Sequence, residues 1–378
     1  MRAPAAVLVL SALLAGCASG GPKGQGDPLN DALRARGLDP EKVIKPFAVD
    51  AEMVAWARRH LPPASSDRER LQALLSALTN SHGLAIEYQS DYSATAVEVF
   101  RDRRANCLSF THLLVGLARA LDMDAYFLAV SDLQRFSKEG DLVIVSGHMT
   151  AGFGQANDRL ILEFTVGESP DYHVLAEISD LAAIAKFYSN RGANALRGGR
   201  LGEAEDWLRQ AVVIDPETPE GWINYGVVLR RSGRLEEAEK AYRRALEVDA
   251  AALSAYQNLA ALLRLRGKDE EAAELLALVD RRGNRNPFSY LSLGDLSLRF
   301  GRLEEAGRFY RKALRLGAKE AELMAAMGMF ELRAGRPTQA RRWLKRARGV
   351  DPTNSRVEAL ERSLLSQPPP RSSGGRLG

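Results

Sequence analysis

The sequence predicts an α+β domain followed by an all-α solenoid of stacked helical hairpins. Three observations carry this. From residue 185 the chain is self-similar with a constant step of 34 residues, with Gly199, Gly233, Gly267, Gly301 and Gly335 in register, and such a period marks a repeat array. Ahead of the array, segments with helical apolar spacing come before segments of alternating apolar residues, the order of an α+β unit. The 378 residues suffice for two or three folding units.

The first element is an export signal. Arg2 gives a positive n-region and residues 5–14, AAVLVLSALL, a short apolar stretch. A spanning helix needs about 20 apolar residues, so the stretch reads as a signal. Leu14-Ala15-Gly16-Cys17 resembles the bacterial lipobox. The resemblance implies that residues 1–16 are a signal peptide and that Cys17 is acylated. Ala18 after the cysteine implies the outer membrane of a Gram-negative envelope, facing the periplasm. An ordinary signal with an unmodified cysteine is the alternative. Residues 18–28 are rich in Gly, Pro and Ser, and 17–45 is expected to be a flexible tether. The only other cysteine is Cys107, so neither a disulfide framework nor a thiolate zinc site is expected. No Gly-rich phosphate loop appears. No metal and no cofactor are expected.

Residues 46–184 form the α+β part. Met53, Val54 and Trp56 predict a helix over 51–60, and Leu71, Leu74, Leu75 and Leu78 another over 68–82. Pro62-Pro63 separates them, since proline cannot continue a helix interior. A third helix starts at Cys107, with Phe110, Leu113, Leu114, Leu117 and Leu121 behind it. Residues 125–130, 142–153 and 159–166 then read as antiparallel strands. Cys107 opens its helix, where the dipole favours thiolate chemistry. His148 and Glu163 fall in successive strands, which can set residues side by side. A thiol nucleophile needs a base, and the base needs a carboxylate or amide to hold its tautomer. Cys107, His148 and Glu163 are therefore the candidate triad, with Asp158 and Asp171 as rivals for the carboxylate. His60, His82, His112 and His173 read as structural or surface residues.

Residues 92–130, YSATAVEVFRDRRANCLSFTHLLVGLARALDMDAYFLAV, resemble the nucleophile segment of the transglutaminase-like, papain-type superfamily. His148 in SGHMTAGF and Glu163 in LILEFTVG match the family's histidine strand and carboxylate position. The resemblance implies a transglutaminase-like fold over 46–184 and cysteine acyl-transfer or hydrolytic chemistry on peptide or protein amides. Two features depart from the pattern: Ala105-Asn106 stands where many relatives carry Gly, and Glu163 where Asp is usual.

In the array, Ala204, Ala238, Ala272, Ala306 and Ala340 recur with the turn glycines, as do the small residues Gly192, Gly226, Ala260, Gly294 and Gly328. The large residues Leu208, Tyr242, Leu276, Tyr310 and Leu344 fill the gap between paired helices. This pattern matches the tetratricopeptide consensus over 185–354, five repeats. A capping helix is expected at 355–366 and a disordered tail at 367–378. The resemblance implies a protein or peptide in the repeat groove. Asn190, Asn224 and Asn258 recur at the sixth position of the first helix, where amides can pair with an extended peptide. Arg197, Arg231, Arg299 and Arg333 recur at the thirteenth, where they can meet carboxylates. Alternatively the arginines complement helix dipoles and the asparagines tie hairpins together.

Residues 1–184 carry a balance of −6 and 185–378 one of +10. The basic charges are interleaved with acidic ones along helices, so a solvated surface, not nucleic-acid binding, is expected. Two functions follow. One is an envelope-anchored transglutaminase-like cysteine hydrolase or acyl transferase served by the repeats. The alternative is an inactive scaffold of that fold whose repeats mediate protein–protein interaction.

Overall fold

The computed structural model describes residues 27–139, 142–155, 158–164, 175–281, 287–317 and 319–366, with the backbone alone over 131–148. Contacts divide the chain into two units, one comprising residues up to 134 with 147–190, the other 135–146 with 191 onward.

The N-terminal unit opens with α1 (Pro28–Ala35), α2 (Ala51–His60) and α3 (Asp67–Thr79). Next come β1 (Glu87–Tyr88), α4 (Ala96–Asp102), β2 (Arg104–Ala105) and α5 (Cys107–Ala120). The strands β3 (Tyr126–Glu139), β4 (Leu142–Phe153), β5 (Leu160–Leu162) and β6 (Leu175–Ile178) precede α6 (Asp180–Arg197). The main sheet has the order β5-β4-β3-β6, with β3–β6 and β4–β5 antiparallel. β1 and β2 form a separate parallel pair. Helix starts follow the side chains that cap them. Asp50 accepts from the Met53 amide, and Ser66 with Glu69 and Thr95 with Glu98 form reciprocal capping boxes.

α5 is the core element. Residues 108–118 are buried without interruption, as expected of a helix apolar on all sides. A Cβ at Gly116 would lie 2.1 Å from the Phe47 carbonyl oxygen, so only glycine lets the 47–49 segment cross the helix here.

Two expectations need correction. Residues 28–45 are not a flexible tether. Asp27 caps α1, Leu33 is fully buried, and the Tyr188 hydroxyl accepts from the Ile44 amide at 2.8 Å. A single buried leucine leaves no periodicity to read. The strand expected over 159–166 is shorter, ending at Leu162. Residues 1–26, with Cys17, and the tail 367–378 lie outside the described residues, as do Asp171 and His173.

The repeat unit contains α7 (Leu201–Ile214), α8 (Pro219–Arg231), α9 (Leu235–Val248), α10 (Leu253–Leu265) and α11 (Asp269–Arg281). It continues with α12 (Pro287–Arg299), α13 (Leu303–Leu316), α14 (Ala321–Arg333), α15 (Pro337–Val350) and α16 (Ser355–Leu365). First helices begin at 219, 253, 287 and 321 and second helices at 201, 235, 269, 303 and 337, a step of 34 residues throughout. The five turn glycines all have φ between 71 and 79°, the left-handed conformation that suits glycine after a helix.

Close helix approach explains the other small series. A Cβ at Gly226 would stand 2.5 Å from the Tyr242 ring, and one at Gly294 the same distance from Tyr310. The last hairpin differs. There Leu360 of α16 fills the space at Gly328, 2.3 Å from where a Cβ would sit, while Leu344 is only half-buried. No sixth hairpin follows among the described residues, so the terminal helix closes the core with Val357, Leu360 and Leu364.

Candidate functional site

The first candidate site stands at the start of α5. Cys107 is a free, half-buried thiol at the first helical position. Asn106 caps that helix by accepting from the Ser109 amide at 2.8 Å and donates its own amide to the Ser93 hydroxyl at 3.1 Å. Ser109 accepts from the Ala94 amide at 2.9 Å and donates to the Tyr92 carbonyl at 3.3 Å. These buried bonds lock the 92–95 segment against the helix start. They also give a physical reason for asparagine before the cysteine: it satisfies the helix amides that glycine would leave to water. The Tyr92 hydroxyl donates to Asp102, and partial burial followed by that carboxylate pushes the phenol up to about 12.

Two contacts bring the strands to the same helix turn. The Thr111 hydroxyl, one turn beyond Cys107, bonds the Cys107 carbonyl at 2.7 Å and the Met149 carbonyl at 3.1 Å. Phe110 stacks on Phe164 with ring centroids 4.1 Å apart. The immediate neighbours of His148 and Glu163 are therefore both packed on the first turn of α5. In the β4–β5 ladder Ala151 faces Leu162, and the Thr150 hydroxyl donates to the Leu162 carbonyl at 2.7 Å. One further step of this register sets half-buried Glu163 opposite Thr150, two residues along β4 from His148. The backbone of His148 is on β4; its side chain lies outside the described residues.

The remaining candidates fall elsewhere. Asp158 is exposed and pairs with Arg68 at 2.7 Å. His60 bonds the Trp56 carbonyl at 2.9 Å and lies against the Trp56 ring, and His82 is exposed. His112 is fully buried among Phe47, Phe127 and Phe187. Burial pushes its imidazole down to about 3, so it is neutral near pH 7 and belongs to the core. Among the described residues no group of three His, Cys, Asp or Glu side chains could hold a metal ion, and no helix is long and apolar enough to cross a membrane.

The second candidate site is the face formed by the first helices of the hairpins. Asn190 on α6 and Asn224 on α8 are half-buried, whereas Asn258 on α10 is only 5% exposed. The three amides are thus not equivalent, and Asn258 is closed to a ligand. Arg197, Arg231, Arg299 and Arg333 are each the last residue of their helices. Arg231 donates to the Leu196 carbonyl at 3.1 Å and Arg197 to the Asn194 side chain at 2.5 Å, so these two complement helix ends as a cation there should.

One feature of this face is illegible in sequence. Arg356 at the start of α16 makes a two-pronged ion pair with Asp295 of α12, at 2.8 and 2.9 Å. Tyr310 donates to the same carboxylate at 2.8 Å, and Glu322 lies 3.6 Å from the Arg356 guanidinium.

Comparison with known proteins agrees with this geometry in the repeats. The tetratricopeptide-repeat family matches residues 185–210, 219–251 and 297–364. The C-terminal half therefore consists of tetratricopeptide repeats, units that mediate protein–protein interaction. Several solved structures are similar to a little under half of the chain. A thermophilic tetratricopeptide protein of Thermus thermophilus is 20% identical, with a TM-score of 0.41, over 48% of this chain and 99% of that one. PilF of Pseudomonas aeruginosa is 23% identical, with a TM-score of 0.38, over 48% and 82%. MamA of Desulfovibrio magneticus is 20% identical, with a TM-score of 0.35, over 45% and 97%. No curated protein matches the chain. These comparisons leave the N-terminal α/β region unassigned and identify no catalytic domain, so they favour the interaction reading over the enzymatic one.

Proposed function

We propose that the protein is an envelope-anchored adaptor whose repeats hold an extended segment of a partner polypeptide. The constant 34-residue step of the hairpins carries this reading, because it stacks the first helices into one continuous face bearing Asn224. Cys17 provides the anchor, at the outer membrane facing the periplasm; a mature N-terminus that mass spectrometry places elsewhere, without acyl chains, removes that part. Peptides selected from a display library against the purified chain test the groove. Asn224→Ala should weaken the selected peptides about five-fold, the value of one amide hydrogen bond. Peptides that bind the variant as tightly as the parent, or that select for no site on this face, defeat the proposal.

A second reading concerns the N-terminal unit, and the convergence of Met149 and Phe164 on the first turn of α5 favours it. In this reading Cys107 is the nucleophile, His148 its base and Glu163 the group that orients the imidazole. The thiol would attack an amide carbonyl, and water or an amine would take the acyl group. Iodoacetamide should then modify Cys107 at pH 6 at least ten times faster in the parent than in His148→Ala. Equal rates in the two proteins leave a transglutaminase-like scaffold without chemistry.

A further inference from the structure

Charge is segregated along the second helices of the hairpins, which lie side by side on the outer face of such a stack. α11 carries five acidic residues and one basic, whereas α15 carries five basic residues and none acidic. Much of the acidic charge of α7 to α11 is paired within the chain. Ion pairs run from each second helix to the next: Arg234 with Glu205 at 2.5 Å, Arg243 with Glu271 at 2.5 Å, and Arg302 with Asp269 at 3.0 Å. Lys312 of α13 likewise reaches Asp280 of α11.

At the basic end Arg348 of α15 pairs with Glu361 at 2.9 Å, but five further cations have no such compensation. Arg308 and Arg311 on α13 occupy the same two repeat positions as Arg342 and Lys345 on α15, so the four form a block across adjacent helices. Arg341 extends the block, one turn from Lys345. All five are exposed, and among the described residues none has a carboxylate within ion-pairing distance. On α11 of a second copy Asp269, Glu271 and Asp280 are already paired internally, which leaves Glu270 and Glu274 against five cations, so a different partner matches this block better. At the end of each basic helix an apolar side chain stands in solvent at equivalent positions, Leu316 at 41% and Val350 at 51% exposure. A phosphodiester backbone has no use for these, whereas the headgroup layer of a bilayer takes cations and apolar side chains together.

We infer that the outer face of the last two repeats docks on an anionic phospholipid surface through Arg308, Arg311, Arg341, Arg342 and Lys345, with Leu316 and Val350 entering the headgroup layer. This contact does not require acylation of Cys17. It would fix the last repeats at the membrane and leave the first-helix face of the same hairpins free for the partner.

The test uses the full chain carrying Cys17→Ser, so that no acyl chain contributes. Flotation with vesicles of phosphatidylcholine containing a quarter phosphatidylglycerol should recover the protein, and vesicles of phosphatidylcholine alone should not. Binding should fall steeply with salt. Each cation near an anionic surface contributes about five-fold in affinity, so R341Q/R342Q/K345Q should bind roughly 100-fold more weakly. R341K/R342K keeps the charge and should bind as the parent does, which separates loss of charge from a folding defect. Equal recovery with neutral vesicles, undiminished binding by the glutamine variant, or tighter binding to duplex DNA than to the anionic vesicles overturns the proposal.

Discussion

Replacing Arg356 with alanine is expected to destabilise the end of the repeat array by about 3 kcal/mol. Arg356 and Asp295 are 22% and 15% exposed, sheltered enough for the loss of one partner to leave an uncompensated charge. The Asp295 carboxylate would lose its guanidinium while still accepting from the Tyr310 hydroxyl, whose phenol is already pushed up by burial and then by that carboxylate. Glu322 would add a second negative charge with no cation between them. Because α16 also supplies Leu360 to the space at Gly328, the loss should spread into α14. Repeat arrays need not melt as one unit, so the expected signature is local. Amide exchange in α14 and α16 should quicken, while α8 and α9 keep their protection. The double variant R356M/D295L should recover most of the loss, since an apolar pair of similar volume needs no counter-charge. Unchanged protection in R356A would mean that solvent already screens the pair.

The repeats were legible because their physics is local and periodic. A glycine at positive φ, an alanine under a crossing helix and a tyrosine against a glycine each leave a mark at a fixed offset, and 34-residue spacing makes the marks add. What depends on a single contact left none. Leu33, which holds α1, is one buried leucine in a polar stretch. The pairing of Asp295 with Arg356 spans 61 residues and breaks no pattern. The burial of Asn258 beside half-buried Asn224 reflects local packing that the shared sequence position does not encode. For the cysteine site, the helix start at Cys107 was readable from apolar spacing. The lock formed by Ser93, Asn106 and Ser109 was not, because serine and asparagine ahead of a helix read equally well as ordinary caps.

His112 shows the same limit and gives the second large effect. Sequence offers no reason to bury this histidine, yet it is fully enclosed by Phe47, Phe127 and Phe187. The Ala183 backbone is a polar neighbour, and neither ring nitrogen has a well-aligned hydrogen bond. The Arg119 guanidinium lies over the Phe47 and Phe127 rings and pairs with Asp180, so a protonated imidazole would add a second cation to this cluster. Burial holds the folded imidazole near 3, against 6.5 when free. The unfolded chain therefore binds the proton first. The stability linked to this residue is complete above pH 6.5 and is lost as the pH falls toward 3, reaching about 2 to 3 kcal/mol by pH 4.5. Carboxylates elsewhere also respond to acid, so the informative quantity is a difference. Urea unfolding of the parent and of His112→Leu at pH 7.5 and 4.5 should show the parent losing this much more than the variant. The same loss in both proteins would mean that the imidazole reaches water or a partner before the unit unfolds.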